Sequence, residues 1–277
     1  MNILYCGDAN MADGLLLSIL SLRHHHQQSL HIYILTATLQ TAQKTYRPLS
    51  NQTVAFLETQ LKQDDPDNTI QKIDITSQFN AEMPTANMDT LFTPYCMLRL
   101  FCDQLPELPD RLLYLDTDVI CRQSLDDLYH EPLSGVEIAG VPDYYGRWFF
   151  HNQITRFDYL NSGVLLMNLK FIRQTGLLRR CRQLCRDKQL FMPNQSALNK
   201  LAVAKRILPR QFNEQRRLHG DTVLQHFTTS FRLFPWVHTL TVKPWQVSKM
   251  HDELGLHEYD ALLSQYQALE PQLKEVA

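Results

Sequence analysis

Residues 111–119, RLLYLDTDV, form the most hydrophobic strand candidate of the chain, and the run ends in two carboxylates, Asp116 and Asp118. The apolar residues of this run do not alternate with polar ones, which is the pattern of a strand covered on both faces. Only Thr117 separates the two acidic residues. The stretch predicts a central strand of a parallel sheet, with two acidic side chains at its carboxyl end.

Strand and helix patterns alternate on both sides of this segment, and few turn-rich stretches interrupt them. Further strands are predicted at residues 2–6, 30–35, 70–75, 137–141 and 163–169. Helices are predicted at residues 14–22, 41–63 (with an interruption at Pro48), 95–105, 171–190 and 194–202. This order predicts an α/β fold: one Rossmann-like domain with a mixed, mostly parallel sheet flanked by helices. We assign residues 1–248 to that domain and residues 249–277 to a small helical C-terminal extension.

Composition narrows the class of protein. The 277 residues are 44% hydrophobic and 20% charged, as expected of a folded globular chain, and a formal net charge of −2 gives no attraction to nucleic acid. The six cysteines contain no CxxC pair and predict reduced, buried thiols. No signal peptide or membrane span is predicted, so we expect a cytoplasmic protein. The C-terminal segment lacks a basic amphipathic face, so we expect at most peripheral membrane contact.

The paired carboxylates suggest a metal site. Ligands gather at the carboxyl ends of the strands in an open parallel sheet. Alternation along a strand places Asp116 and Asp118 on one side, with Thr117 on the other. Two hard oxygen ligands suit Mg²⁺ or Mn²⁺. The alternative is a strand-end turn in which the carboxylates cap backbone amides.

Three segments together resemble glycosyltransferase family 8, which includes bacterial lipopolysaccharide galactosyltransferases and glycogenin. RLLYLDTDV resembles the family's Asp-x-Asp strand, and YLNSGVLLMNLKFIR at residues 159–173 resembles its F/Y-N-A/S-G-V-L-L-x-N-L segment. His226 in LQHF and Lys243 in KPW resemble its H-F/Y…K-P-W pattern. The resemblance covers residues 2–245, and the three motifs occur in the family's order.

The resemblance implies a nucleotide-sugar-binding domain of the glycosyltransferase A type. It also implies an enzyme that transfers glucose or galactose from a UDP-hexose donor, with retention of anomeric configuration, to a glycan, glycolipid or glycoprotein acceptor. The implied cofactor is Mn²⁺, with Mg²⁺ as a possible substitute. The sequence leaves open which hexose is transferred, which carbohydrate-bearing acceptor receives it, and the oligomeric state.

Roles carry over to matching positions. The resemblance implies that Asp116, Asp118 and His226 bind the metal, that Asp116 also lies near the donor, and that Lys243 neutralises the donor diphosphate. The remaining implied donor-binding residues are Asp8, Asn10, Arg99, Asn161 and Gly163. Asp8 and Asn10 match the positions that contact the nucleoside end, whereas Asn161 and Gly163 lie in the segment that approaches the transferred sugar.

The implied catalytic residues are Gln195, which matches the family glutamine facing the anomeric carbon, Asn194, and Asp143 near the acceptor. The match departs from the family at two places. Asn194 and Ser196 stand where carboxylates often flank the glutamine, which favours front-face departure of the nucleotide over a covalent intermediate or signals weak activity. Residues 228–242 separate His226 from Lys243 more widely than is usual, and His238 within them is a fallback metal ligand.

The aromatic residues Phe231, Phe234 and Trp236 of this insertion suggest either a cover for the donor and acceptor sites or an anchor for the C-terminal helices. Two other functions remain open. One is a nucleotide-sugar-binding protein with little or no turnover. The other is a phosphatase of the haloacid dehalogenase type, in which an apolar strand also ends in Asp-x-Asp and the first Asp is a nucleophile.

Overall fold

The computed structural model describes residues 1–26, 28–42, 44–90, 93–146, 158–232 and 238–277. The strands are β1 (Asn2–Cys6), β2 (His31–Thr36), β3 (Leu39–Gln40), β4 (Thr45–Tyr46), β5 (Thr69–Asp74), β6 (Arg111–Leu115), β7 (Val119–Cys121), β8 (Ile138–Pro142), β9 (Leu160–Asn168), β10 (Lys205–Ile207), β11 (Leu224–His226), β12 (Ser230–Arg232) and β13 (His238–Leu240). The α-helices are α1 (Ala12–Arg23), α2 (Asn51–Leu61), α3 (Thr76–Ala81), α4 (Asp126–Tyr129), α5 (Leu169–Thr175), α6 (Leu177–Asp187), α7 (Pro193–Leu201), α8 (Val247–Leu254) and α9 (Asp260–Val276). The 3₁₀ segments are Ala9–Met11, Thr85–Asn87, Pro94–Gln104 and Arg210–Phe212.

Seven strands form the central sheet in the order β10-β8-β9-β6-β1-β2-β5. Strands β6, β1, β2 and β5 are parallel, as are β8 and β10, and β9 runs antiparallel to both of its neighbours. This confirms the predicted α/β fold with a mixed, mostly parallel sheet. Because β9 is antiparallel, its amino end lies beside the carboxyl end of β6, where Leu115 faces Val164 in the register.

Alternate residues of the central strands enter different hydrophobic clusters, as expected when both faces of a sheet are covered. Leu113 and Leu115 belong to the cluster that contains α1 and α9. Leu112 and Tyr114 belong to the cluster that contains α6 and the 3₁₀ segment before β6.

All six cysteines are free and five are buried; burial raises the pKa of Cys121 to about 12.

The C-terminal helix α9 shares its core with α1. Its Leu263, Tyr266 and Leu273 are buried in the same cluster. The Tyr266 hydroxyl donates to Asp13 Oδ1 at 2.9 Å. Residues 249–277 therefore pack directly on α1 and share its core, and a domain boundary at residue 248 stays a prediction.

Two predicted helices differ from the structure. The helix expected at 41–63 begins only at Asn51. The Ser50 hydroxyl caps it by accepting a hydrogen bond from the Thr53 amide at 2.8 Å, and the preceding residues pair as β3 and β4. The helix expected at 171–190 is two helices, separated by Gly176. Gly176 has φ of +66°, a left-handed conformation that glycine adopts without penalty.

The insertion at residues 228–242 contains an antiparallel pair, β12 and β13, joined in register at Phe231 and Thr239. Phe234 and Trp236 lie outside the described residues, as do the side chains of Phe231 and His238, so the roles predicted for them stay predictions. Among the described residues, no helix has the length and apolar character needed to cross a lipid bilayer.

Candidate active site

The turn between β6 and β7 carries Asp116 and Asp118. The amide of Asp116 donates to the Gly163 carbonyl of β9 at 2.8 Å, and the carbonyl of Asp118 accepts from the Phe227 amide at 3.0 Å. Strand β7 pairs with β11, and Val119 faces His226 in that register. The turn is thereby fixed between two strands distant in sequence, and His226 is brought beside both carboxylates.

The three predicted metal ligands converge. His226 Nε2 lies 3.2 Å from Asp118 Oδ1 and 3.7 Å from Asp116 Oδ2. One ligand atom from each residue falls within 4.8 Å of the other two. Asp118 and His226 are buried, whereas Asp116 is half-exposed and leaves the cluster open on one side.

A chain of hydrogen bonds from the Gly163 amide through Asn161 and Asn213 orients the His226 ring. The Gly163 amide donates to Asn161 Oδ1 at 2.9 Å, so the Asn213 amide group that meets this oxygen at 3.0 Å must be its NH₂. The side-chain oxygen of Asn213 then faces His226 Nδ1 at 3.2 Å and accepts a hydrogen bond from it. With the proton on Nδ1, His226 Nε2 directs a lone pair at the two carboxylates, the position that a divalent cation would occupy. The donor set fits a divalent metal such as Mn²⁺.

Lys243 pairs with the same carboxylate. Its Nζ donates to Asp118 Oδ2, so one oxygen of Asp118 faces the lysine and the other faces His226. Burial alone would raise the pKa of Asp118, but Lys243 and His226 outweigh it and hold this pKa well below its ordinary value. Burial would lower the pKa of Lys243, and attraction to Asp118 raises it instead. Both groups are therefore charged at neutral pH.

Arg99 positions Asp116. It is 2% exposed, and its guanidinium stacks 3.6 Å from the centroid of the Tyr114 ring. Its NH2 nitrogen donates to Asp116 Oδ1 at 2.9 Å, and the Tyr114 hydroxyl donates to the same oxygen at 2.5 Å. The other two guanidinium nitrogens donate to the Cys96 and Ser162 carbonyls. All of its nitrogens thus bind protein groups, while Asp116 Oδ2 stays directed at His226.

Gly163 makes room for this cluster. A Cβ atom there would lie 2.7 Å from His226 Nδ1 and 2.8 Å from Asp116 Oδ2, closer than real Cβ contacts come. The absence of a side chain is therefore needed for the ligands to converge. His226 and Asp116 occupy the space beside Gly163, and its predicted place near the transferred sugar stays a prediction.

The predicted catalytic residues form a second cluster, linked to the first. Gln195 Oε1 accepts from the Ser162 amide at 2.9 Å, which directs its NH₂ to Asp143 Oδ2 at 3.1 Å. The NH₂ of Asn161 donates to the same Asp143 oxygen at 2.9 Å. Asn194 donates to the Ser162 hydroxyl at 3.1 Å. Hydrogen bonds thus run without a break from His226 to Gln195.

Asp8 and Asn10 lie at the carboxyl end of β1. Asp8 is buried, and its carboxylate accepts from the Asn10 amide at 3.1 Å and from its side chain at 2.7 Å. Asn10 itself is exposed. The two contacts form a turn directly after the strand, with Asn10 presented to solvent at the sheet edge where Asp116 also lies.

Two residues of the site escaped the sequence interpretation. Asn213 is 1% exposed and supplies the acceptor for His226, yet nothing in its local sequence, RQFNEQ, marks it. Ser162 lies inside the recognised NSG segment, where its backbone holds both Arg99 and Gln195. The place of Ser162 in that motif is the signal by which the sequence could have identified it.

The fold and the paired clusters at its sheet edge define a glycosyltransferase with the A-type fold. A model of glycosyl transferase family 8 matches residues 2–248. The chain belongs to glycosyltransferase family 8. This membership removes the phosphatase alternative.

Similar proteins differ in what they transfer. The chain is 27% identical to the lipopolysaccharide 1,2-glucosyltransferase of Escherichia coli (strain K12), over 88% of this chain and 75% of that protein. A shorter match, 34% identical over 30% of this chain and 21% of the other, is to glucoside xylosyltransferase 1 of Rattus norvegicus. The galactosyltransferase LgtC, solved with donor and acceptor sugar analogues, superposes with a TM-score of 0.70 at 18% identity, covering 97% of this chain and 96% of LgtC.

Proposed function

We propose that the protein is a retaining hexosyltransferase that moves glucose or galactose from a UDP-sugar to a carbohydrate-bearing acceptor with Mn²⁺ as cofactor. The observation that carries the proposal is the convergence of Asp116, Asp118 and His226 beside Lys243. Three ligands leave coordination positions that phosphate oxygens can fill, and a lysine beside them adds positive charge.

The metal would supply charge stabilisation to the departing diphosphate. Asp116 and Asp118 would hold it, and His226 would be held as a neutral ligand by Asn213. Lys243 would turn from Asp118 to the diphosphate, since the carboxylate gains the metal as its new counter-charge. Asn10, exposed at the end of β1, would contact the nucleoside beside Asp8.

The second cluster supports a front-face route. Gln195 lies beside Asp143, and Asp143 accepts four hydrogen bonds: from Asn161, from Gln195, and from the Tyr145 and Gly146 amides at 3.1 and 2.5 Å. A carboxylate with all four lone pairs engaged is a weak nucleophile. The chain has amide and hydroxyl groups at Asn194 and Ser196. We therefore assign Gln195 and Asn194 to contact with the transferred sugar. Asp143 would hold the hydrogen-bond network of this cluster, and the leaving phosphate would take up the proton of the acceptor.

The decisive experiment is incubation with UDP-glucose or UDP-galactose and Mn²⁺, with release of UDP and hexose as the measurement. Turnover of either donor that stops in Asp118→Asn supports the proposal. A conservative Gln195→Glu variant should bind UDP normally and lose turnover by about 10²-fold or more, since a group beside the reacting carbon changes.

A nucleotide-sugar binder without turnover is the competing function, motivated by Asn194 and Ser196. It predicts Mn²⁺-dependent UDP binding with no product from a broad panel of carbohydrate acceptors. If UDP binding is unchanged in both Asp116→Asn and Asp118→Asn, the metal assignment fails for either function.

A further inference from the structure

A second group of metal-ligating side chains lies outside the candidate active site, where α8 meets α9. It consists of His251 in the last turn of α8, His257 in the connection, and Asp260 at the start of α9. Suitable ligand atoms of all three lie within 4.8 Å of one another. The proposed function makes no use of these residues.

The separations suit a small tetrahedral ion. His251 Nε2 lies 2.8 Å from Asp260 Oδ1, and His257 Nδ1 lies 3.4 Å from Asp260 Oδ2. Ligands about 2.0–2.2 Å from Zn²⁺ in tetrahedral geometry are about 3.3–3.5 Å apart. Only a small side-chain adjustment separates this arrangement from a coordination shell.

The imidazole rings of His251 and His257 are stacked on each other. Their centroids are 4.4 Å apart with an interplanar angle of 20°. The stack places one ring nitrogen of each histidine toward the Asp260 carboxylate. Neutral imidazole nitrogen is the form that binds a transition metal.

The backbone that carries these residues is fixed. Gly255, with φ of +59°, ends α8, and its amide donates to the His251 carbonyl at 3.0 Å. The Asp260 amide donates to the His257 carbonyl at 3.1 Å. Between them, Leu256 and Tyr259 are buried in the main core. The ligand positions are therefore held by core packing and are not set by a free loop.

From this geometry we infer that His251, His257 and Asp260 form a Zn²⁺-binding site with water as the fourth ligand. Two nitrogens and one oxygen are the donor set that zinc accepts, whereas Mg²⁺ and Ca²⁺ prefer oxygen alone. His257 and Asp260 have side chains 64% and 52% exposed, so an ion can enter from solvent. The ion would tie α8 to α9 and stabilise the C-terminal helices.

The test uses the full chain carrying Asp118→Asn, so that zinc binding at the candidate active site is removed. Titration with Zn²⁺ by calorimetry, and with Co²⁺ by visible absorption, should show one site whose cobalt spectrum is that of a four-coordinate ion. Adding His257→Ala or Asp260→Asn should weaken Zn²⁺ affinity about tenfold or more. Zn²⁺ should raise the Tm of the parent and not of these variants.

His24→Ala is the matched control. His24 is an exposed histidine whose Nε2 lies 3.2 Å from Gln265 of α9, and it belongs to a separate histidine run. This variant should retain both the zinc affinity and the cobalt spectrum. Zinc affinity that is unchanged in His257→Ala and Asp260→Asn, or that is lost in His24→Ala instead, overturns the inference. Because the donor is absent from these titrations, the result is independent of whether UDP-sugars are turned over.

Discussion

Gly163 and His226 are in contact so close that a Cβ atom on Gly163 would lie 2.0 Å from His226 Cε1. The glycine comes from β9 and the histidine from β11, so the contact joins two recognised motifs that lie about sixty residues apart in sequence. The space left by one missing side chain is occupied by the imidazole ring of His226. Several expected outcomes depend on such contacts.

Gly163→Ala should displace His226 and weaken Mn²⁺ binding by at least about tenfold. The imidazole must move because the opposing atoms are a ring and a carboxylate, and overpacking of this kind also costs about 1–3 kcal/mol of stability. Calorimetric Mn²⁺ titration measures the first effect and urea unfolding the second. Gly220→Ala, where nothing lies within 4 Å of the added atom, should leave both unchanged. Normal Mn²⁺ affinity in Gly163→Ala would show that His226 is not a ligand.

Asn213→Ala should weaken Mn²⁺ affinity by about 10- to 100-fold, because the acceptor that fixes the His226 tautomer is lost. Loss of a hydrogen-bonded buried amide will also reduce stability. Asn199→Ala is the matched control: Asn199 is also buried, at 3% exposed, and donates to the Leu160 carbonyl at 2.7 Å instead of bonding His226. Equal Mn²⁺ affinities in the two variants would contradict the positioning role.

Lys243→Met should separate metal binding from nucleotide binding. In the absence of nucleotide, Lys243 occupies one oxygen of Asp118, so its removal should leave Mn²⁺ affinity unchanged or higher. With Mn²⁺ present, UDP affinity should fall about tenfold or more, the loss of a charge-assisted contact worth about 1.5–3 kcal/mol. Isothermal titration of both ligands measures the pair of effects. Lys249→Met, at an exposed lysine of α8, should change neither; a parallel loss of both affinities in Lys243→Met would refute the assignment.

His26 should make the fold sensitive to acid. Burial, with smaller effects from His25 and the N-terminal amino group, lowers the pKa of His26 from 6.5 to about 4 despite the opposing effect of Asp126. Between these pH values the unfolded chain carries a proton on this ring that the folded chain does not. Unfolding takes up about one proton there, so the free energy of unfolding falls as pH decreases through that window and levels off below it.

The measurement is urea unfolding at several pH values between pH 7 and pH 4 for the wild type and His26→Gln. The slope of stability against pH should be shallower in the variant. His130→Gln, at an exposed histidine, should keep the wild-type slope. Identical slopes in the wild type and His26→Gln would mean that the pKa of His26 is the same in the folded and the unfolded chain.

The sheet and the acidic residues at its edge were predictable because their signals are local. The apolar run before Asp116 predicts a buried strand by composition alone, but the strand ends at Leu115 and both acidic residues lie in the turn that follows, so strand alternation does not set their side. The helix expected from residue 41 was wrong because a pairing between β3 and β4, together with the Ser50 cap, competes with a weak polar periodicity. The single helix expected at 171–190 was wrong because the left-handed conformation of Gly176 depends on how the two halves pack.

The roles of individual residues were harder to predict. Arg99 carries a recognisable position in the sequence, but only packing shows that all of its nitrogens are engaged by Asp116 and by the Cys96 and Ser162 carbonyls. Asn213 carries no signal, because it acts through a hydrogen bond to His226, thirteen residues away. The orientation of Asn213 is in turn set by Asn161 of β9. Such bonds depend on tertiary register, which single-residue patterns do not encode.

The sequence by itself determined the fold class and the family, and it singled out Asp116, Asp118 and His226 as candidate metal ligands, because strand periodicity and motif order are properties of the chain. Only the tertiary structure decided how those ligands meet. The antiparallel insertion of β9 places Gly163 against His226, and the hydrogen-bond chain from His226 to Gln195 then crosses three separate segments. Distances between residues far apart in sequence follow from core packing, and this packing is what brings the three scattered side chains together.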